Sequence, residues 1–204
     1  MTSSTPSLES PPVNDGWAAY NRDDLLAKQV AAFHDQHQFA CAVETGTWKG
    51  HTTVALAQLF PKVHTIEIDE ERYGLTLPRF DAYPNVTAHL GHSPEILVPL
   101  VDEFDYPLFV FLDAHWHEDW PLRDELNILL SVRRPKLIMI HDFKVPGRDF
   151  GYDRYGEHSC SFDYIADLLP HNECKYTFNS HVAPQSVRRG AIFIEHLLYP
   201  SSCA

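Results

Sequence analysis

Two aspartates and a group of histidines close two apolar runs, and their types suit acid–base or metal chemistry. The first run, Leu108-Phe-Val-Phe-Leu112, leads into Asp113-Ala-His115-Trp116-His117; the second, Leu137-Ile-Met-Ile140, leads into His141-Asp142-Phe143. Carboxylates on neighbouring strand ends repel unless a cation or a proton lies between them. Magnesium suits that position, being a hard ion held by one or two carboxylates with waters and substrate oxygens. Its charge would lower the pKa of a substrate hydroxyl and orient it. An imidazole, with its near-neutral pKa, is a suitable general base for an alcohol or a phenol. His117 is the first choice for that role and His115 the second, since both follow Asp113 closely. The chain holds 13 histidines, so a solvated loop position is the plain alternative for either.

A second chemical segment lies earlier, at Val43-Glu44-Thr45-Gly46-Thr47-Trp48-Lys49-Gly50-His51-Thr52. Gly46 permits a tight turn with backbone close to a ligand, and Gly50 a close helix–strand contact. Amides at the start of the following helix would face an anionic ligand group. A dinucleotide fingerprint needs glycine where Trp48 stands, and a bulky side chain there crowds a pyrophosphate. That substitution argues against a nicotinamide-dependent oxidoreductase. Glu67 follows Gly46 by 21 positions, where doubly wound folds present an acid to ribose hydroxyls. A carboxylate there accepts two charge-assisted hydrogen bonds. Asp69, just beyond, suits a helix start instead.

The elements that must position these residues follow from periodicity. Helical spacing runs from Trp17 to His37, from Thr52 to Leu59, from Glu70, from Ser93 and from Trp120 to Leu130. Apolar runs at Phe39–Val43, Val63–Ile68, Val86–Leu90, Leu108–Leu112 and Leu137–Ile140 alternate with those helices. Runs apolar throughout imply a parallel sheet covered on both faces. Residues 158–169 look helical, and Lys175–Asn179 and Ala191–Glu195 then read as two strands with no helix between them, an antiparallel pair. The expectation is an α/β, doubly wound, Rossmann-like sheet, mostly parallel, with an antiparallel C-terminal strand pair. Residues 1–14, rich in Ser, Thr and Pro, are expected to form a disordered tail, and 15–204 a single domain. The stretch 144–158 reads as a long loop able to close over substrate, with Tyr152, Arg154 and Tyr155 as contacts.

With those residues in place, the chain resembles the class I S-adenosylmethionine (SAM)-dependent methyltransferases. The run Val-Glu-Thr-Gly-Thr-Trp-Lys-Gly-His-Thr, then Thr-Ile-Glu-Ile, then Gly91-His92-Ser93 is similar to the small-molecule O-methyltransferases, both catechol and sugar or macrolide types. The resemblance implies the methyltransferase version of the fold and methyl transfer from SAM to a hydroxyl of a small molecule. It places Glu44, Gly46 and Thr52 around the methionine part, with Thr47, Trp48 and Gly50 in the same turn. Glu67 falls at the ribose, His92 and Ser93 at the adenine, and His115 and Trp116 beside the adenosine. Asp113 borders both the cofactor and a metal, and in the catechol family Asp113 and Asp142 correspond to metal ligands. That family's third ligand is an amide; here Phe143 stands there and cannot coordinate. His141 or His115 is left to complete the set, which would favour iron, manganese or zinc over magnesium. The alternative is a site that lost its metal and works by proximity with a base. His117 falls near the family's catalytic lysine, with Ala114 as an additional upstream residue.

The bulk properties narrow the partners. A formal net charge of -12 repels nucleic acid and anionic membranes, so a small-molecule substrate is expected and neither polyanion nor bilayer. No signal peptide is evident, and four scattered cysteines without CxxC spacing suit a reducing, cytoplasmic setting. A homodimer is compatible with the sequence. Two other functions stay open: a metal-dependent enzyme of another reaction class on the same fold, and a non-catalytic SAM-binding module.

Overall fold

Strand residues of both parities can be buried only where helices cover both faces of a sheet, and this requirement is met at the centre of the sheet, where Cys41–Thr45, Leu108–Leu112 and Lys136–His141 are buried at every position. The computed structural model describes residues 18–115 and 119–198. The expected tail and Trp17 lie outside the described residues. A turn, α1 (Ala19–Arg22), precedes the helix α2 (Asp24–His37). The alternation then runs β1 (Cys41–Thr45), α3 (His51–Leu59), β2 (Val63–Glu67), α4 (Glu70–Thr76) and β3 (Val86–Leu90). It continues with α5 (Ser93–Leu100), β4 (Leu108–Leu112), α6 (Leu122–Ser131) and β5 (Lys136–His141). A two-residue hairpin, β6 (Arg154–Tyr155) and β7 (His158–Ser159), precedes α7 (Phe162–Ile165), β8 (Cys174–Phe178) and β9 (Ala191–His196).

Seven strands form one sheet in the order β3-β2-β1-β4-β5-β9-β8. The first five are parallel, and β9 inserts antiparallel between β5 and β8. The doubly wound expectation and its antiparallel ending are both met. Alternate residues sort to opposite faces, as strand geometry requires. Leu108, Val110 and Leu112 join Ile138, Ile140, Ile192 and Ile194 under α5 and α6, whereas Phe109, Phe111, Leu137, Met139 and Phe193 pack against α2 and α3.

Two expectations are corrected. The helix read from Trp17 to His37 is interrupted, because Tyr20, Asn21 and Arg22 take left-handed φ of 51, 54 and 65°. Asp23 then caps α2: its Oδ1 accepts from the amides of Leu25 and Leu26, each at 3.1 Å, and from Ala183 N–H at 3.1 Å. A capping carboxylate favours ending the preceding turn there. The stretch 158–169 is not one helix but β7, the single turn α7 and a 3₁₀ turn at Ala166–Leu168. Cys41 and Cys160 are buried free thiols, and Cys203 lies outside the described residues. No helix among the described residues is long and apolar enough to cross a membrane.

Candidate active site

Parallel strands direct their carboxyl ends to one edge of the sheet, and ligands of such folds bind in the crevice there. A cavity of about 450 Å³ opens at that edge, bordered by the ends of β1, β2, β4 and β5, within the size range of small-molecule sites. Of the residues the sequence singled out, Glu44, Gly46, Thr47, Trp48, Thr52, Glu67, His92, Ser93, Asp113, His115 and Asp142 border it. His141 lies just behind, lining a small cavity of about 20 Å³ with Asp113, Glu125 and Tyr155. Trp116 and His117 lie outside the described residues.

The turn after β1 is shaped by its backbone. Gly46 has φ 85°, and a Cβ there would meet the Asp113 carbonyl oxygen at 2.8 Å, so this glycine lets β1 close against the end of β4. Gly50 makes its close approach to the ring of Phe80, not to a strand. Beneath the turn a buried hydroxyl chain forms: Thr47 Oγ1 lies 2.6 Å from Thr65 Oγ1, which donates to Glu44 Oε2 at 2.7 Å. Thr53 Oγ1 donates to the same oxygen. Burial pushes the Glu44 carboxyl up to about 8, despite these two hydroxyls, so it is mostly protonated at neutral pH. Thr52 Oγ1 accepts from Tyr20 N–H at 3.2 Å and is thereby tied to the left-handed turn.

Glu67 ends β2 with both oxygens held from the main chain. Trp48 N–H donates to Oε2 at 2.8 Å and Asp69 N–H to Oε1 at 3.0 Å. Each oxygen keeps a further lone pair for a ligand hydroxyl. The Trp48 indole stands at the rim with the Arg72 guanidinium 4.0 Å from its ring centre. At the start of α5, His92 Nε2 lies 2.9 Å from Asp119 Oδ2, while Ser93 Oγ donates to Glu125 Oε1. Glu125 is fully buried, and burial lifts its carboxyl to about 7 despite the hydroxyls of Ser93 and Thr45 beside it. Neither Asp119 nor Glu125 carries a recognisable spacing in the sequence; packing of α6 against α5 brings Glu125 here, and Asp119 lies in the segment before α6.

The β4–β5 end is charged. His141 Nδ1 sits 3.2 Å from Asp113 Oδ1 and 3.3 Å from Asp142 Oδ1. Burial alone would lower the His141 pKa, but the two carboxylates outweigh it and raise the value to about 9, so the ring is an imidazolium at neutral pH. Arg189, just before β9, donates from Nε to Asp142 and from Nη2 to Asp153. Depth in the protein raises the Asp113 carboxyl, while His141 and Arg189 overcome burial and hold Asp142 below the usual carboxylate range. His115 Nε2 lies 3.9 Å from Asp153 Oδ2, and its ring packs near Tyr155. The sequence reading missed Arg189 and Asp153. A signal existed: an antiparallel β9 must begin at the ligand edge, so the residues before Ala191 had to reach it.

The loop 144–158 contributes Asp153 to the main cavity, whereas Tyr155 lines only the small one. It is laced to the sheet end by Asp153 N–H to Asp142 O at 2.9 Å, Cys160 N–H to Asp153 O at 2.9 Å and Lys144 N–H to Cys160 O at 2.7 Å.

The oxygens and nitrogens of Asp113, His141 and Asp142 lie within 4.8 Å of one another, close enough to surround a small cation. As arranged they do not fit one. Asp142 is engaged by Arg189, His141 Nδ1 is itself paired with both carboxylates, and Phe143 is fully buried against Phe178. The repulsion that called for an ion is already relieved by Arg189 and His141.

No family model and no curated protein matches the chain. Solved structures do. A Klebsiella pneumoniae protein assigned as an O-methyltransferase superimposes with TM-score 0.66 at 18% identity, covering 94% of this chain and 93% of that one. The Bacillus cereus O-methyltransferase in complex with S-adenosylhomocysteine gives 0.65 at 17%, covering 89% and 84%. An rRNA methylase from Streptococcus thermophilus gives 0.57 at 15%, covering 89% and 100%. Identities this low speak for the fold alone, which this chain shares with solved O-methyltransferases and an rRNA methylase.

Proposed function

We propose that this chain transfers a methyl group from SAM to a hydroxyl of a small-molecule acceptor. The observation that carries the reading is one cavity with two unlike ends: a Glu67 carboxylate fixed by two main-chain amides, and a charged cluster at β4 and β5. SAM supplies a methyl carbon on a sulfonium; as the acceptor oxygen bonds to it, the carbon–sulfur bond breaks and its electron pair stays on sulfur. Glu67 holds the ribose hydroxyls, and Glu44 faces the methionine part. The Bacillus cereus neighbour, solved in complex with S-adenosylhomocysteine, supports a ligand of this class; the placement itself rests on where Glu67 and Glu44 border the cavity. Most of the rate gain comes from holding the two reactants in line, worth at best about 7–11 kcal/mol.

The hydroxyl proton needs an acceptor. With its pKa raised to about 9, His141 is protonated on both ring nitrogens at neutral pH and cannot accept a further proton. We assign the base to His115, which borders the cavity, with His117 as the other candidate from the sequence. A divalent ion at Asp113 and Asp142 would have to displace Arg189 from Asp142 first. Although a methylase of rRNA shares the fold, the net charge of -12 favours a small acceptor over a polyanion.

Calorimetry with SAM, S-adenosylhomocysteine and NAD tests the reading: the first two are expected to bind and NAD is not. Binding of NAD alone overturns it. With an acceptor found by screening, the rate should rise with pH as one group deprotonates, and His115→Ala or His117→Ala should remove that limb. If both variants keep the wild-type profile, neither histidine is the base.

A further inference from the structure

We propose that Arg189 is the resident cation of the acceptor end: anchored on Asp153, its guanidinium takes the Asp142 carboxylate that a divalent ion among Asp113, His141 and Asp142 would need, excludes such an ion, and directs the acceptor oxygen. Three carboxylates, Asp113, Asp142 and Asp153, converge here, and Arg189 touches two of them while His141 lies between Asp113 and Asp142. Arginine suits this task because its planar fork pairs with carboxylates at fixed geometry and never loses its charge.

The backbone carrying Arg189 is built in, not draped over the surface. Phe143 N–H donates to Gly190 O at 2.9 Å, Gly190 N–H to Gly151 O at 3.0 Å, and Gly151 N–H to Arg188 O at 2.8 Å. Gly151 and Arg189 form a β-bridge, and Arg188 takes a left-handed φ of 56° to make the approach. Both partners of the guanidinium are therefore fixed to the strand ends that hold it. About a quarter of the Arg189 side chain remains exposed, bordering the cavity, and only two of its five N–H donors are committed to Asp142 and Asp153. A donor placed beforehand where negative charge develops stabilises the transition state without reorganising. The chemical class this favours is a neutral or anionic acceptor whose oxygen can take an N–H from a guanidinium.

The exclusion of an ion is independent of the methyl-transfer reading; only the action on the acceptor rests on it. The test is manganese binding, followed by the loss of the free-ion electron paramagnetic resonance signal. Samples are the full chain, Arg189→Ala, Arg189→Lys, and Arg189→Ala combined with Asp142→Asn. Wild type and Arg189→Lys are expected to bind no manganese at this site. Arg189→Ala should bind it, at least about tenfold below the concentration at which wild type still shows no binding, because a unit charge a few ångströms away has gone, and the double variant should lose that gain. Manganese bound by wild type and released by Asp142→Asn overturns the proposal. So does an Arg189→Ala chain, folded by circular dichroism, that binds no more than wild type. The wild-type measurement decides even where a variant fails to fold. Calorimetry of wild type with S-adenosylhomocysteine runs alongside, and its failure would strike the methyl-transfer reading, not this one.

Discussion

At the β1–β2 end of the cavity polar side chains are held by neutral groups nearby in the chain, whereas at the β4–β5 end they are held by charges from far along it. Glu67 is fixed by amides two and 19 positions away, and Glu44 by hydroxyls nine and 21 positions away. By contrast His141 and Asp113 are 28 positions apart, Arg189 and Asp153 36, and Arg189 and Asp142 47. The first end is preformed around hydrogen bonds and one protonated carboxyl. The second is a balance of charges in which removing any member leaves another uncompensated. Cofactor affinity should therefore follow single residues at the first end, and folding stability the charge balance at the second.

The largest expected effect is on stability, at the charged end. Asp142→Ala should cost about 2–4 kcal/mol in denaturant unfolding, near the lower part of the range for breaking a buried pair, since Asp153 still holds Arg189. A cost below about 0.5 kcal/mol would place this variant among ordinary surface changes and remove the contrast. S-adenosylhomocysteine affinity should change little in the same variant.

Glu67→Ala should reverse that pattern. Loss of hydrogen bonds to a charged group, at about 1.5–3 kcal/mol, predicts roughly 10- to 100-fold weaker binding of S-adenosylhomocysteine by calorimetry. Equal affinity in both proteins would sink the ribose assignment.

A third effect separates the ends by pH. Glu125 and Glu44 have carboxyls raised to about 7 and about 8 from a usual 4.5, with burial the leading cause. In that window the unfolded chain has lost protons that the folded chain keeps, so their contribution is complete below pH 4.5 and is lost as pH rises through 7 and 8. His141, raised to about 9, pulls the same way over a higher window, from 6.5 upward. Glu125→Gln should flatten the fall of stability between pH 4.5 and 7, by about 1–3 kcal/mol across it. An unchanged pH dependence would show that Glu125 is ionised in the folded chain.

The smallest effect concerns Glu44. The ammonium of SAM beside this carboxyl would favour its charged form, so binding at pH 7 should release up to about one proton. Calorimetry in two buffers of different ionisation enthalpy reads this number, and Glu44→Gln should bring it to zero. Proton release that persists in that variant would assign it elsewhere.

Much of this was legible in the chain itself. Runs such as Leu108–Leu112, apolar on both parities, admit only a strand covered on both faces, and their alternation with helices dictates parallel order. Glu67 was recognisable by its distance from Gly46, because one βαβ unit has a nearly constant length. The break at Asp23 was passed over although its caps of Leu25 and Leu26 are local; only its further bond from Ala183 N–H, 160 positions away, was beyond reach of the sequence. In the loop 144–158 the aromatic and basic residues drew the sequence reading, yet Asp153 is the one that borders the main cavity with Arg189.

Local order thus determined the elements, the turn after β1 and the acids that close β2, β4 and β5, because periodicity and short-range geometry act on neighbouring residues. The electrostatic character of the β4–β5 end was decided only by tertiary structure. Two aspartates at strand ends read, by themselves, as a vacancy for a metal ion. The antiparallel register pairing His141 with Ala191 sets Arg189 beside Asp142 instead. Coulombic partners are chosen by distance in space, and no spacing along the chain encodes that distance.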